Sequence, residues 1–231
     1  MKLHNIMAVV YLLILLTSGI STVLISHKHK FPRHLKIFAY LTIATFISES
    51  LSYLATFWFK SNWKIINLFV LVETVWHMYF FYCIISIQKI RKQIPLAIGL
   101  YAAFWLATNI FVADFFSSGN MVWNSYILIA ESVITVALAC VYIYQLIEIE
   151  DVDKIQKRPE FWIVLAMLIY YTCQIPYFGA FNLIVRHKLS MKQIGFANLR
   201  ILMIILNDIM YASFIYAYKC QVRQMKYQRS N

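Results

Sequence analysis

Long apolar runs separated by short polar gaps dominate the chain, at roughly 5–27, 35–59, 63–88, 94–113, 121–147, 160–185 and 195–219. At a rise of about 1.5 Å per residue, each run can cross a hydrocarbon layer about 30 Å thick as an α-helix. The pattern predicts an all-α, polytopic membrane protein: a seven-transmembrane-helix bundle forming a single domain over 1–231. The longest connection, from Glu148 to Glu160, is about a dozen residues and leaves no room for a soluble domain.

Composition agrees, with 61% hydrophobic and 13% charged residues placing the chain in the membrane class. The formal charge of +11 does not point to nucleic acid, because the Lys and Arg sit in the gaps between apolar runs. It is a topology signal. One set of gaps holds Lys28, Lys30, Arg33, Lys36, Lys89, Arg91, Lys92, Lys154, Lys157 and Arg158, with Lys219, Arg223, Lys226 and Arg229 in the tail. These outnumber Lys2, Lys60, Lys64, Arg186, Lys188 and Lys192 on the other side. The positive-inside tendency predicts an N-terminus outside and a C-terminus in the cytoplasm of a cell membrane, in a bacterium the inner membrane.

The first run also has features of a cleaved signal peptide, with Lys2 before it and Ser18, Gly19 and Ser21 late in it. The basic stretch HKHKFPRHLK directly afterwards resists translocation and favours a span, with Ser18 and Thr22 letting a neighbouring helix approach closely. Cys83, Cys140, Cys173 and Cys220 show no CxxC or metal-ligand spacing and read as free thiols packed as small apolar residues. Trp58, Trp63 and Trp123 fall near expected outer helix ends and Trp162 near an inner one, as interfacial anchors do. Trp76 sits mid-helix beside His77, either packing between helices or facing a ligand.

Ionisable side chains in the hydrocarbon region cost at least about 2.5–3.5 kcal/mol each, so those that persist face the bundle interior and find partners. Here they are Glu49, Glu73, His77, Glu131, Arg200 and Asp208. Counted inward from the outer helix ends, Glu49, Glu73, Glu131, Gln174 and Asp208 fall at nearly one depth, about 10–13 residues in. Their faces can be read separately. Thr42, Thr45, Glu49, Ser52 and Thr56 form one polar stripe that must face protein or water. Glu73 and His77 lie one turn apart, and Asn124, Glu131 and Thr135 share a face. Tyr170, Gln174 and Tyr177 share another, beside Pro176, which frees the carbonyl of Thr172. Arg200, Asn207 and Tyr211 align on the last helix, with Asp208 adjacent.

Two accounts fit these groups. They are interhelical hydrogen bonds that fix packing, or they line a polar cavity for a small-molecule or ion ligand. Four carboxyls against one Arg and one His favour the cavity, and a dry bundle holds such an excess only with at least one carboxyl neutral. The candidate ligand-binding residues are Glu49, Glu73, His77, Glu131, Tyr170, Gln174, Arg200, Asn207 and Asp208, with no catalytic, metal or cofactor set apparent. A retinal protein is disfavoured because no Lys lies mid-membrane on the last helix. The seven-helix zinc hydrolases of the alkaline ceramidase and adiponectin-receptor type are disfavoured because that helix has no His, although Glu49 with Ser52 matches part of their pattern.

The segments NLFVLVET (67–74), ESVITVALACVYIY (131–144), PEFWIVLAMLIYY (159–171) and NDIMYASFIYAY (207–218) resemble uncharacterised bacterial seven-helix membrane proteins. Relatives of that group include sensor modules of membrane histidine kinases. Its members more often carry His near the Arg200 position and Asn near Asp208. The resemblance implies a sensor-like bundle. The expected function is thus a ligand-binding or sensory membrane module that signals through a separate cytoplasmic or membrane partner. A small solute or proton-coupled transporter is the rival, and an intramembrane enzyme of another type the third reading.

Overall fold

The computed structural model describes residues 2–29, 31–59, 61–112, 124–149, 155–186 and 196–230. Trp123 and Lys30, Lys60, Lys154, Lys188 and Lys192, used above as anchors or topology markers, lie outside the described residues. The helices are α1 (Lys2–Lys28), α2 (Arg33–Phe59), α3 (Trp63–Ile84), a one-turn α4 (Gln88–Arg91), α5 (Ile94–Phe111), α6 (Ser125–Ile149), α7 (Pro159–Arg186) and α8 (Phe196–Ser230). Among the described residues, seven stretches are long and apolar enough to cross a membrane, the fourth comprising α4 and α5.

Two of the boundaries that depart from the hydropathy pattern have a visible physical cause. The third helix stops at Ile84, not 88, because the chain turns extended at Ile85 (φ −77°, ψ 121°). The Gln145 amide of α6 holds the break: its Nε2 donates to the Ile84 carbonyl at 3.0 Å, and its Oε1 accepts from the Ser86 N–H at 2.8 Å. Backbone groups orphaned by the interruption are thereby satisfied. The last helix runs on past 219 to Ser230. The added sequence, CQVRQMKYQRS, is rich in Gln, Arg, Lys and Met, good helix formers that hydropathy alone does not register. Val222 and Met225 tie this extension to the core.

Neighbouring helices pack in the order α1–α2–α3–α6–α7–α8 and back to α1, so six helices close a ring, and α5 stands against α3 and α6 beside it. Small residues set the closest approaches. Ser18 and Thr22 are fully buried, and the Ser18 hydroxyl crosses to the Tyr211 carbonyl on α8 at 2.8 Å. A Cβ at Gly19 would come within 2.6 Å of Ile43 Cδ1 on α2.

One large core fills most of the ring, with Phe38, Phe80, Tyr142, Met167, Tyr171 and Phe214 among its members. A smaller cluster of Val70, Trp105, Ile127, Leu128 and Phe178 joins α5 to it. Leu24, Phe57, Leu96 and Phe111 point outward and are 64%, 80%, 67% and 84% exposed. Water would penalise so much apolar surface, whereas lipid solvates it. The fold is that of a multi-pass membrane bundle.

At one end of the ring the contacts gather the basic connections. His34 Nε2 meets Glu160 Oε1 at 2.8 Å, linking α2 to the first turn of α7, where a carboxylate also suits the helix dipole. There the Tyr218 hydroxyl donates to the Leu35 carbonyl, and Trp162 Nε1 donates to the Gln156 carbonyl at 2.8 Å. At the opposite end, Asn67 Nδ2 donates to Asn109 Oδ1 at 3.2 Å, Trp105 Nε1 donates to the Asn67 carbonyl at 2.7 Å, and the Ser125 hydroxyl bonds Asn182. The four cysteines are free.

Candidate intramembrane polar site

The α2 stripe turns inward: Thr42, Thr45, Ser48 and Ser52 are buried and Glu49 half-buried, while Thr56 is exposed. Thr42 and Thr45 donate to the Phe38 and Leu41 carbonyls one turn back, at 3.2 and 3.0 Å. Their protons are spent on the helix itself, which leaves the hydroxyl oxygens as acceptors toward the interior.

Those oxygens border a small cavity together with Glu73 and His77 of α3, Met210, Tyr211 and Phe214 of α8, and Phe38 and Leu41 of α2. About 10 Å³ is free for the centre of a water-sized particle, room for about one water molecule. Phe38 lies against His77 with ring centroids 6.2 Å apart, and Tyr211 meets Phe214 edge-on at 5.5 Å.

Behind His77 sits Glu131 of α6, only 1% exposed. Its Oε1 is 3.8 Å from His77 Nδ1, beyond hydrogen-bond range, and has no hydrogen-bond partner. The Tyr171 hydroxyl of α7 lies 3.3 Å from the same Nδ1, and the hydroxyls of Tyr171 and Thr74 adjoin the Glu131 carboxyl. The Glu73 carboxyl interacts electrostatically with Glu131, His77 and Glu49. Tyr170 of α7 and Tyr11 of α1 both feel Glu49 and Glu73. All six ring helices therefore contribute to one interior assembly: Tyr11, Glu49, Glu73 with His77, Glu131, Tyr170 with Tyr171, and Tyr211.

Not every candidate joins it. Arg200 is exposed, and its charge reaches Tyr177. Asp208 and Asn207 are half-buried, each with a side-chain oxygen lacking a partner, and Asp208 shows no interaction with Glu49, Glu73 or Glu131. Gln174 is buried one turn along from Tyr170, with its Oε1 unpartnered, and Thr135 Oγ1 one turn from Glu131 is likewise unpartnered. Pro176 is exposed on α7. Trp76 is half-buried against the main core, with its Nε1 buried and unpartnered.

Chemically, the interior offers carboxyls, an imidazole, phenols and hydroxyl oxygens within reach of one another, and no Lys or Arg among the described residues joins them. It can accept hydrogen bonds, pass protons between Tyr171, His77 and Glu131, and attract positive charge. Among the described residues no group of three or more His, Cys, Asp or Glu is arranged to hold a metal ion.

Tyr11, Tyr171 and Thr74 escaped the pattern of candidate residues. Tyr11 carried a signal, as a phenol inside the apolar run IMAVVYLLILL. Tyr171 carried one too, because Met167, Tyr171, Gln174 and Phe178 repeat at helical spacing and are all buried. Compared with known proteins, the chain matches no family model, no curated protein and no solved structure.

Proposed function

We propose that this chain is a membrane-embedded ligand-binding or sensory module whose pocket lies inside the six-helix ring and whose signal passes to a separate partner. The observation that carries this reading is the unpartnered Glu131 Oε1, buried behind the His77 ring that borders the small cavity. A buried acceptor without a partner costs about 1–3 kcal/mol, more when charged, and a fold built only for packing gains nothing by keeping it. The resemblance of four segments to sensor-related seven-helix proteins supports the same reading. In this reading the basic connections face the cytoplasm, where the partner docks.

The test is a thermal-shift screen of the full chain in nanodiscs against small solutes of different charge, run in parallel on Glu73→Gln. A solute that stabilises the native chain and not the variant supports the module. A panel in which no solute distinguishes the two removes it. Pro176 inside α7 favours a second reading, a solute or proton-coupled transporter, since it loosens the helix that carries Tyr170 and Tyr171. Solute uptake into proteoliposomes, abolished by Glu73→Gln, selects that reading over the first.

A further inference from the structure

The walls of the cavity specify more than its existence. Each polar group exposed to it from α2 is an acceptor, because Thr42 and Thr45 have given their protons to Phe38 and Leu41 carbonyls. Glu73 adds a carboxyl, Tyr211 a phenol beside Thr45, and His77 an imidazole with one donor and one acceptor nitrogen. Phe38, Tyr211 and Phe214 present aromatic rings, whose faces carry negative charge. An independent observation points the same way: the unpartnered oxygen of Glu131, 1% exposed, stands 3.8 Å from the His77 ring that borders the cavity. A cavity in which acceptor oxygens and aromatic rings outnumber the donors, with no Lys or Arg in its lining, suits a positively charged guest rich in hydrogen-bond donors.

Size and geometry narrow the class. Room for about one water admits a guest of a single heavy atom. No metal-holding group of His, Cys, Asp or Glu occurs among the described residues. Directional N–H donors suit carboxyl and hydroxyl acceptors scattered over two helices, and aromatic faces receive ammonium ions well.

We infer that the pocket binds a small protonated nitrogen cation of the ammonium class, held by Glu73 with Thr42 and Thr45 and backed by Glu131 through His77. This inference rests on the ligand-binding reading above and names the chemistry of its ligand.

The experiment compares thermal unfolding of the full chain in nanodiscs with ammonium chloride, methylammonium chloride, sodium chloride, potassium chloride and choline chloride at one ionic strength and pH. Ammonium is expected to raise Tm by several degrees over sodium and potassium, methylammonium less, and choline not at all. Glu131→Gln is expected to abolish the ammonium increment, and Thr45→Val, which conserves shape, to weaken it several-fold in apparent Kd. Infrared difference spectra with ¹⁴N- and ¹⁵N-ammonium on the unaltered chain should show a bound N–H band that moves with the isotope, a readout that needs no variant to fold.

Equal increments from sodium or potassium, no isotope-sensitive band, or a full ammonium increment in Glu131→Gln would each overturn the inference. A different solute from the screen that stabilises the native chain and not Glu73→Gln, with ammonium inert, defeats the ammonium assignment and leaves the ligand-binding module standing.

Discussion

Gln145 shows how one buried side chain can decide where a helix ends. Its amide bonds both sides of the α3 interruption, accepting from the Ser86 N–H and donating to the Ile84 carbonyl. Gln145→Leu fills similar space but leaves both backbone groups without partners, so unfolding stability should fall by about 2–4 kcal/mol. Gln145→Glu keeps an acceptor for Ser86 and loses the donor to Ile84, so it should also destabilise. Thermal unfolding in nanodiscs checks the loss in Gln145→Leu, and amide hydrogen exchange should localise it to 84–86. A Gln145→Leu chain as stable as the native one would show that the break is held by packing alone. At this scale the sequence is least informative: Gln145 lies in an apolar run where nothing local marks it, since its partners are 59 and 61 positions away.

Between elements, the approach of α1 to α2 depends on Gly19. The nearest obstruction to a Cβ there is the flexible end of Ile43, at 2.6 Å for Cδ1 and 3.3 Å for Cγ1, while the Ile43 Cα stands at 3.5 Å. Gly19→Ala should therefore cost at most about 1 kcal/mol, since Ile43 can rotate aside, whereas Gly19→Leu should cost about 1–3 kcal/mol by forcing the helices apart. Pairing Gly19→Leu with Ile43→Ala should recover part of that loss in a double-mutant cycle, and strict additivity would show that the two do not touch. Ser18, Gly19 and Thr22 were readable as a close-approach surface because small residues one turn apart have few other uses in a span. The long helices were readable for a similar reason: hydropathy over about 20 residues is a property of the segment and needs no knowledge of neighbours. Where the α2 stripe opens, at Thr56, and which way Arg200 and Asp208 face depend on how the ring closes. Periodicity places a residue on a face but does not say which neighbour covers it.

For the whole molecule, closure of six helices into a ring explains why Glu49, Glu73 and Glu131 meet although 24 and 58 residues separate consecutive members of the set. It also gathers the basic connections at one end, fixed there by the His34–Glu160 pair and the Tyr218–Leu35 bond. If that end faces the cytoplasm, as the charge bias indicates, a fluorescent protein fused after Asn231 should fold and fluoresce in a bacterial host, and a secreted phosphatase at the same place should stay inactive. The opposite pair of results reverses the orientation. The position of α5 leads to a sharper expectation, because it packs on α3 and α6 outside the ring and reaches the interior assembly through Tyr101, whose hydroxyl meets that of Thr74 at 3.0 Å. One of its polar attachments, at the end away from Tyr101, runs through Asn109, whose Oδ1 accepts from Asn67 Nδ2 and whose Nδ2 bonds its own helix at the Trp105 carbonyl. Asn109→Ala removes that bond and leaves the Trp105 and Tyr101 bonds and the central residues untouched. Interhelical hydrogen bonds of this kind are worth about 0.6 kcal/mol on average and up to about 1.7 kcal/mol. Stability should drop within that range, and apparent ammonium affinity should stay within about twofold, because a change this small at the periphery carries little differential energy between bound and free states. Loss of ammonium stabilisation in Asn109→Ala would mean that α5 participates in shaping the pocket, and that the ring does not act as an independent unit.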